Sequence, residues 1–301
     1  MTRTSVVIVA FRSAPYLERG LPPLLADPAV GDVVVVDNSS DEATAAVVAA
    51  IGGGRVQLID PGANLGFARG CNTGARATRD PVVTFLNPDV LLEQSLADLV
   101  AACCAQGDVL LAGGLGQDET DGPLGNARHR VTLGREVARA TLGARSSFQT
   151  VAPGTATVPV DQIDGAFIMG TRAFLDRLGG YDERFELYFE DVDLCDRARA
   201  AGRVRLDTRR FGSHPGGASS RTVAGPSYCV FRVSRIRYFA KRLGAAGAWA
   251  ALAVAALEAV VRTVTRQPEG MRVRLRALGL SARETLRPGS VQVLDGPVAG
   301  T

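Results

Sequence analysis

The chain has 301 residues, 46% of them hydrophobic and 22% charged, enough for one large folded domain or two small ones and too apolar to be disordered over most of its length. Its 34 basic and 31 acidic residues leave a net charge of +3, which supplies no field that would indicate nucleic acid as a partner. Five cysteines without a C-x-x-C pair, and only two histidines, argue against a disulfide scaffold or a zinc-cysteine module. The opening residues run into an apolar stretch without a signal peptide's length or cleavage site, so a reducing, cytoplasmic setting is the expectation.

In the first third, short β-branched runs alternate with helix-like segments, the pattern of an α/β domain with a mostly parallel central sheet and helices on both faces. Strands are expected at Ser5 to Ala10, Asp32 to Val36, Arg55 to Ile59, Pro81 to Leu86 and Val109 to Ala112. Their unbroken apolar character says that both sheet faces are covered. Helices are expected at Pro15 to Leu25, Glu42 to Ala50, Phe67 to Ala77 and Glu93 to Cys104, with Pro22-Pro23 kinking or shortening the first. From Gly114 to Pro159 the sequence is polar and Gly-rich without clear period, which reads as a long functional excursion. Regularity returns with a strand from Ile163 to Met169, a helix from Thr171 to Leu178 ended by Gly179-Gly180, and a helix from Glu190 to Ala201 ended by Gly202.

After Pro226 the composition shifts to Arg, Ala and Leu, dividing the chain into a main domain, 1–225, and a helical appendage with a tail, 226–301. Within the appendage, Gly244 to Val261 carries one charge, Glu258. A carboxylate near a bilayer centre costs about 2.5 to 3.5 kcal/mol, so the segment reads as a helix lying on a membrane surface or packed on the domain, ahead of one that spans.

In an open α/β sheet, ligands bind beyond the carboxyl ends of the strands. The first strand is followed by Phe11-Arg12-Ser13-Ala14-Pro15, with neither a dinucleotide fingerprint nor a P-loop, and no Gly-rich basic loop of the kind a nucleotidyltransferase needs. The second ends in Asp37-Asn38-Ser39-Ser40-Asp41, acceptors that suit a base and ribose; Ser40 or Asp41 caps the next helix, which leaves Asp37 without a structural job. The third leads into Asn64-Leu65-Gly66-Phe67-Ala68-Arg69-Gly70-Cys71-Asn72, either a plain strand-to-helix turn or amides and an arginine placed for an anion. The fourth ends in Asn87-Pro88-Asp89, either a turn or oxygen ligands for Mg²⁺ or Mn²⁺. Later, Glu190-Asp191-Val192-Asp193 opens a helix after an aromatic run; Asp193 is spaced to pair with Arg197, while Glu190 and Asp191 read as catalytic or as charges favouring the helix dipole.

Taken in order, these motifs together with Gly179-Gly180-Tyr181-Asp182-Glu183-Arg184-Phe185 resemble family 2 glycosyltransferases of the GT-A fold, rhamnosyltransferase-like branch, over Ser5 to Ser220. The resemblance implies that Asp37 contacts the base or ribose and that Arg69 and Asn72 lie near the nucleotide diphosphate. It makes Asp191, with Glu190 beside it, the general base, and Asp89 with His214 the site of Mg²⁺ or Mn²⁺. Ala10, Phe11, Asn38, Asn64, Gly66, Asn87, Gly165 and Tyr188 complete the implied substrate-binding set. Asn87 departs from the aspartate of many relatives and lowers the charge available to a metal.

The implied activity is inverting transfer from a nucleotide-diphosphate sugar, dTDP-rhamnose first, to a hydroxyl of a glycan, lipid-linked or small-molecule acceptor in bacterial polysaccharide or cell-wall assembly. A UDP-hexose or UDP-galactofuranose donor, or an inactive nucleotide-sugar binding module, is the alternative. Peripheral membrane contact through the C-terminal helix accompanies this reading.

Overall fold

Successive residues of a strand face opposite sides of its sheet, and here both sides are apolar. Val6, Ile8, Val33 and Val35 pack on one face, and Val7 and Val9 on the other. The structure, a computed structural model, describes residues 2–116, 122–142, 148–214, 224–265 and 270–294. In chain order the elements are β1 (Thr4–Ala10), α1 (Ala14–Ala26), β2 (Val30–Asp37), α2 (Glu42–Ile51), β3 (Val56–Ile59), α3 (Phe67–Ala77), β4 (Val82–Leu86), β5 (Leu91–Leu92), α4 (Ala97–Gln106) and β6 (Val109–Gly116). They continue with β7 (Ala127–Arg128), α5 (Leu133–Leu142), β8 (Thr157–Pro159), β9 (Gln162–Ile163), β10 (Phe167–Thr171), α6 (Arg172–Leu178), α7 (Glu190–Ala201), β11 (Arg203–Ser213), α8 (Ala224–Val264) and α9 (Met271–Leu286).

The main sheet runs β3-β2-β1-β4-β10-β6-β11-β5, with β8 also paired to β11. Pairs among β1 to β4, and β6 with β11, are parallel; β10 lies antiparallel between β4 and β6. Helices α1, α2 and α4 cover one face through Leu17, Leu21, Val48 and Leu99. Helices α3, α6 and α7 cover the other through Ala68, Cys71, Phe174 and Leu194.

Three expectations are corrected. Helix α1 runs on to Ala26, because Pro22 and Pro23 are exposed while Leu21 and Leu24 on either side are buried and hold the last turn. The strand expected from Ile163 to Met169 is two strands, β9 and β10, broken at Asp164-Gly165-Ala166. The excursion after Gly114 contains α5, whose buried positions include Glu136. An apolar period is missing there because the face that packs is charged.

Helix α8 turns at Gly244, whose φ of 65° is left-handed, so that its two arms, 224–243 and 245–264, fold back on each other. Ile236 and Phe239 of the first arm pack with Ala248 and Ala251 of the second, and Phe185, Phe189 and Val192 join them from the main domain. Removing one such buried phenylalanine costs about 3 to 5 kcal/mol. Glu258 is buried in this bundle, bonded to Arg139 at 3.2 Å, Arg235 at 3.1 Å, Arg262 at 3.1 Å and also Arg232. Residues 227–264 are long and apolar enough to cross a membrane by composition, but the charge of Glu258 is met by protein.

Candidate active site

Asp89 and His214 are distant in sequence and adjacent in the fold because of strand register. Two residues beyond Asp89, Leu91 and Leu92 pair antiparallel with Ser213 and Gly212 at the end of β11. The residues flanking that pairing meet, and His214 Nε2 lies 3.2 Å from Asp89 Oδ1. A Cβ at Gly212 would stand 2.1 Å from the Leu91 carbonyl oxygen, so the approach requires glycine. Burial by itself lowers the pKa of His214; its hydrogen bond to Asp89 and the charges of Asp89 and Asp164 outweigh that and raise it.

The break between β9 and β10 places the Gly165 amide against helix α7. That amide donates to Asp191 Oδ2 at 3.0 Å, and the Val192 amide donates to Oδ1 at 2.7 Å. Tyr188 and Phe189 reach the helix through left-handed φ values of 64° and 68°, a backbone strain held by packing of both rings against Phe231. Burial and the charge of Asp164 push Asp191 up to about 6, against the lowering effects of Arg128 and the two amides. Glu190 is buried, its Oε2 has no partner among the described residues, and burial with the charge of Asp191 raises it well above the carboxylate range. Of the two neighbours, Glu190 is held further toward its protonated form by burial and by the charge of Asp191. Glu190, expected beside Asp191 as a catalytic group, is enclosed near the buried Cys71 and Tyr181.

Two residues of the site escaped the sequence reading. Arg128 on β7 bonds Asp164 Oδ2 through Nε at 2.9 Å and stacks over Phe148, and Asp164 acts on both His214 and Asp191. Arg128 lies inside the irregular excursion and Asp164 inside a segment read as strand, so neither carried a motif. The small β7–β9 ladder, Ala127 with Ile163 and Arg128 with Gln162, is what unites them.

At the other end, Arg12, Ser39, Ser40, Asp41 and Glu42 line an open groove beyond β1 and β2. Asp41 is the helix cap, accepting from the Ala43 amide at 3.1 Å. Asp37 does have a structural job: Oδ1 accepts from the Ser39 amide and hydroxyl, and Oδ2 from the Asp41 amide. Ala10 is buried, with its carbonyl accepting the Asn38 amide, while Phe11 is bonded through both backbone groups to Ser13.

The turn into α3 is also already occupied. The Leu65 amide donates to Asn38 Oδ1, the Gly66 amide to Asn64 Oδ1, and the Phe67 amide to the Glu186 carbonyl at 2.6 Å. These amides clasp this turn to the β2 end and to the approach of α7. Asn72 bonds Tyr181 through both its amide groups and Glu183 through Nδ2, and Arg69 pairs with Glu183 at 3.1 Å. They fasten the loop before α7.

Among the described residues no group of three or more His, Cys, Asp or Glu converges as a metal cage. Asp89 and His214 nevertheless form a convergent oxygen and nitrogen pair beside the Asn87-Pro88 turn, a donor set that suits Mg²⁺ or Mn²⁺ when ligand oxygens supply the remaining positions.

The pattern described as Glycosyl transferase family 2 matches residues 5–177. The chain belongs to this family. This glycosyltransferase is 29% identical over 221 residues to the N-acetylglucosaminyl-diphospho-decaprenol L-rhamnosyltransferase of Mycobacterium tuberculosis, a match that spans 65% of the chain and 70% of that protein. It is 25% identical over 206 residues to the low-salt glycan biosynthesis hexosyltransferase Agl10 of Haloferax volcanii, spanning 65% of the chain and 61% of that protein. Its fold is similar to the mannosyltransferase PcManGT of Pyrobaculum calidifontis in complex with GDP-Man and Mn²⁺, with TM-score 0.56, 17% identity, 95% of this chain and 87% of that one. GalNAc-T7 with UDP, GalNAc and Mn²⁺ is also similar, with TM-score 0.55 and 15% identity, over 71% of this chain and 43% of the other. These likenesses show that the fold is that of GT-A glycosyltransferases.

Proposed function

We propose that the protein transfers a sugar with inversion from a nucleoside-diphosphate donor, dTDP-rhamnose first, to a hydroxyl of a lipid-linked glycan acceptor. The observation that carries the reaction type is the Asp89–His214 pair at the strand ends, with Asp164 acting electrostatically on both His214 and the amide-held Asp191. The relative named for rhamnosyl transfer to a diphospho-decaprenol acceptor supports the donor and acceptor. A UDP-hexose or UDP-galactofuranose is the second donor reading. Asp37 retains one acceptor position beyond its three hydrogen bonds, and that position suits the imide N–H of thymine and uracil alike.

In this reading Asp191, ionised above about pH 6 and held by two backbone amides, removes the proton from the acceptor hydroxyl. The acceptor oxygen forms its bond to the anomeric carbon from the face opposite the leaving group. The bond from that carbon to the diphosphate breaks, and its electron pair departs with the nucleoside diphosphate. Asp89 and His214 would hold Mg²⁺ or Mn²⁺, which when bound neutralises the charge of the diphosphate. Burial and the charge of Asp191 raise the Glu190 pKa, which disfavours a second negative charge beside Asp191. Arg128, paired to Asp164, limits the rise of the Asp191 pKa so that the base is ionised at neutral pH.

Calorimetric titration of the purified protein with dTDP, UDP and GDP, followed by mass spectrometry of products from dTDP-rhamnose and UDP-hexoses, tests the proposal. Preferred binding of dTDP and turnover of dTDP-rhamnose are expected. Preference for GDP would remove both donor readings.

A further inference from the structure

The C-terminal helices carry a surface that the catalytic reading leaves unused. On the second arm of α8, Trp249, Leu257, Val260 and Val264 are exposed, Trp249 by 53% and Val264 by 75%, while Ala248, Ala251, Ala255 and Ala259 face the core. With Ala253, Trp249, Val260 and Val264 follow the i, i+4, i+11, i+15 spacing of one helix face. Helix α9 packs along α8, its Arg274 bonding Thr263 at 3.0 Å and its Ala277 meeting Tyr228 and Cys229. Its outward side repeats the same spacing twice. Met271, Leu275 and Leu286 form an exposed apolar row, and Arg272, Arg276, Arg283 and Arg287 an exposed cationic row beside it.

Those four arginines have no acidic partner among the described residues. Within 224–265 and 270–294 the only acids are Glu258 and Glu284, and both are buried and bonded to other arginines. An apolar row next to an unneutralised cationic row suits a surface that is negatively charged outside and apolar just beneath. A second copy of the chain fits poorly, since a two-fold contact would bring two such arginine rows together without a carboxylate among the described residues of either face.

We propose that the outward faces of α9 and of the second arm of α8 seat the protein on an anionic lipid bilayer, the arginine row on headgroup phosphates and Trp249 with the apolar rows at the acyl boundary. This surface differs from a spanning helix because the inner face of α8 stays packed around Glu258. The lipid-linked acceptor proposed above gives the contact a purpose, yet the two stand or fall separately: vesicle binding reads this surface, and nucleotide titration in solution reads the site.

Trp249 is the single tryptophan of the chain, so its fluorescence reports this face alone. The full chain is mixed with vesicles of phosphatidylcholine, with or without phosphatidylglycerol, and followed by co-sedimentation and emission. Binding to the phosphatidylglycerol vesicles at low salt, a blue shift of Trp249, and quenching by brominated acyl chains are expected. Replacing Arg272, Arg276, Arg283 and Arg287 together by Gln should weaken binding at least about tenfold and flatten its salt dependence. The pair Leu275→Ser and Val260→Ser should remove the part that persists at high salt. Circular dichroism and nucleotide affinity should stay unchanged in both variants, whose substitutions are all on the surface. The proposal is overturned if the chain stays in the supernatant with anionic vesicles at low salt, if it binds with Trp249 unshifted, or if neither variant changes binding. A concentration-dependent dimer that Val260→Asp abolishes, without vesicle binding, would assign the face to a second copy instead.

Discussion

The backbone amide of Gly165 donates to Oδ2 of Asp191 across 26 residues of chain, so the irregular break between β9 and β10 orients the carboxylate at the start of α7. A Cβ at Gly165 would stand 3.4 Å from the Asp191 Cβ, which keeps the two segments close. The base proposed here is therefore set by two elements that are remote in sequence, and its ionisation by a third, β7, through Arg128.

Asp191→Asn should retain nucleotide affinity and lose turnover by about a hundredfold or more, the range for removal of a general base. In the unaltered enzyme the base must be ionised, so kcat/KM should fall as pH drops below about 6, approaching tenfold per unit. Glu190→Gln, which keeps the side chain's shape without its charge, should leave turnover within about threefold, a change too small to be loss of an acid–base group. Steady-state rates across pH for the three proteins check all of this, and normal turnover in Asp191→Asn would place the base elsewhere.

Asp89→Ala and His214→Ala should each weaken dTDP or UDP binding when Mn²⁺ is present and reduce its dependence on the metal. Chelator should weaken nucleotide binding to the unaltered protein in the same way. Isothermal titration with and without Mn²⁺ measures the difference; equal affinities throughout would describe a site that uses no metal.

Glu258→Gln leaves Arg139, Arg232 and Arg235 without their shared carboxylate in a buried bundle, a change expected to cost about 3 to 5 kcal/mol. Burial opposes ionisation of Glu258, but Arg232, Arg139, Arg235 and Arg262 prevail and lower its pKa from 4.5 to about 2. Its contribution is therefore complete above about pH 4.5 and is lost as pH falls through about 2. Urea denaturation of both proteins at neutral and acid pH should show their stabilities converging at the acid end.

Gly212→Ala should push β5 away from β11 and separate Asp89 from His214, because the added methyl meets the Leu91 carbonyl. Weaker Mn²⁺-dependent nucleotide binding is expected, together with a lower Tm. Gly134→Ala, on a helix where an added methyl touches nothing, serves as the control and should not lower stability.

The sequence by itself determined the α/β class, the strands that are apolar on both faces, and a cap at Ser40 or Asp41, which the structure assigns to Asp41. It also determined the Asp193–Arg197 pair, found at 2.7 Å, because spacing along one helix brings those two side chains together. Each of these depends on local period or local hydrogen bonding. Tertiary structure alone decided the contact of Asp89 with His214, which follows from the β5–β11 register, and the joining of Arg128 and Asp164 to Asp191. It also turned the amides of the α3 turn inward, since the Glu186 carbonyl reaches Phe67 only when the approach to α7 folds across it. Strand β11 went unread because charged residues are interspersed along it, and α5 because its buried face carries Glu136 and Arg139, which pair with the arginines and carboxylate of α8. A charge can be buried only opposite a partner, and partners far apart in a chain are found only when the chain has folded.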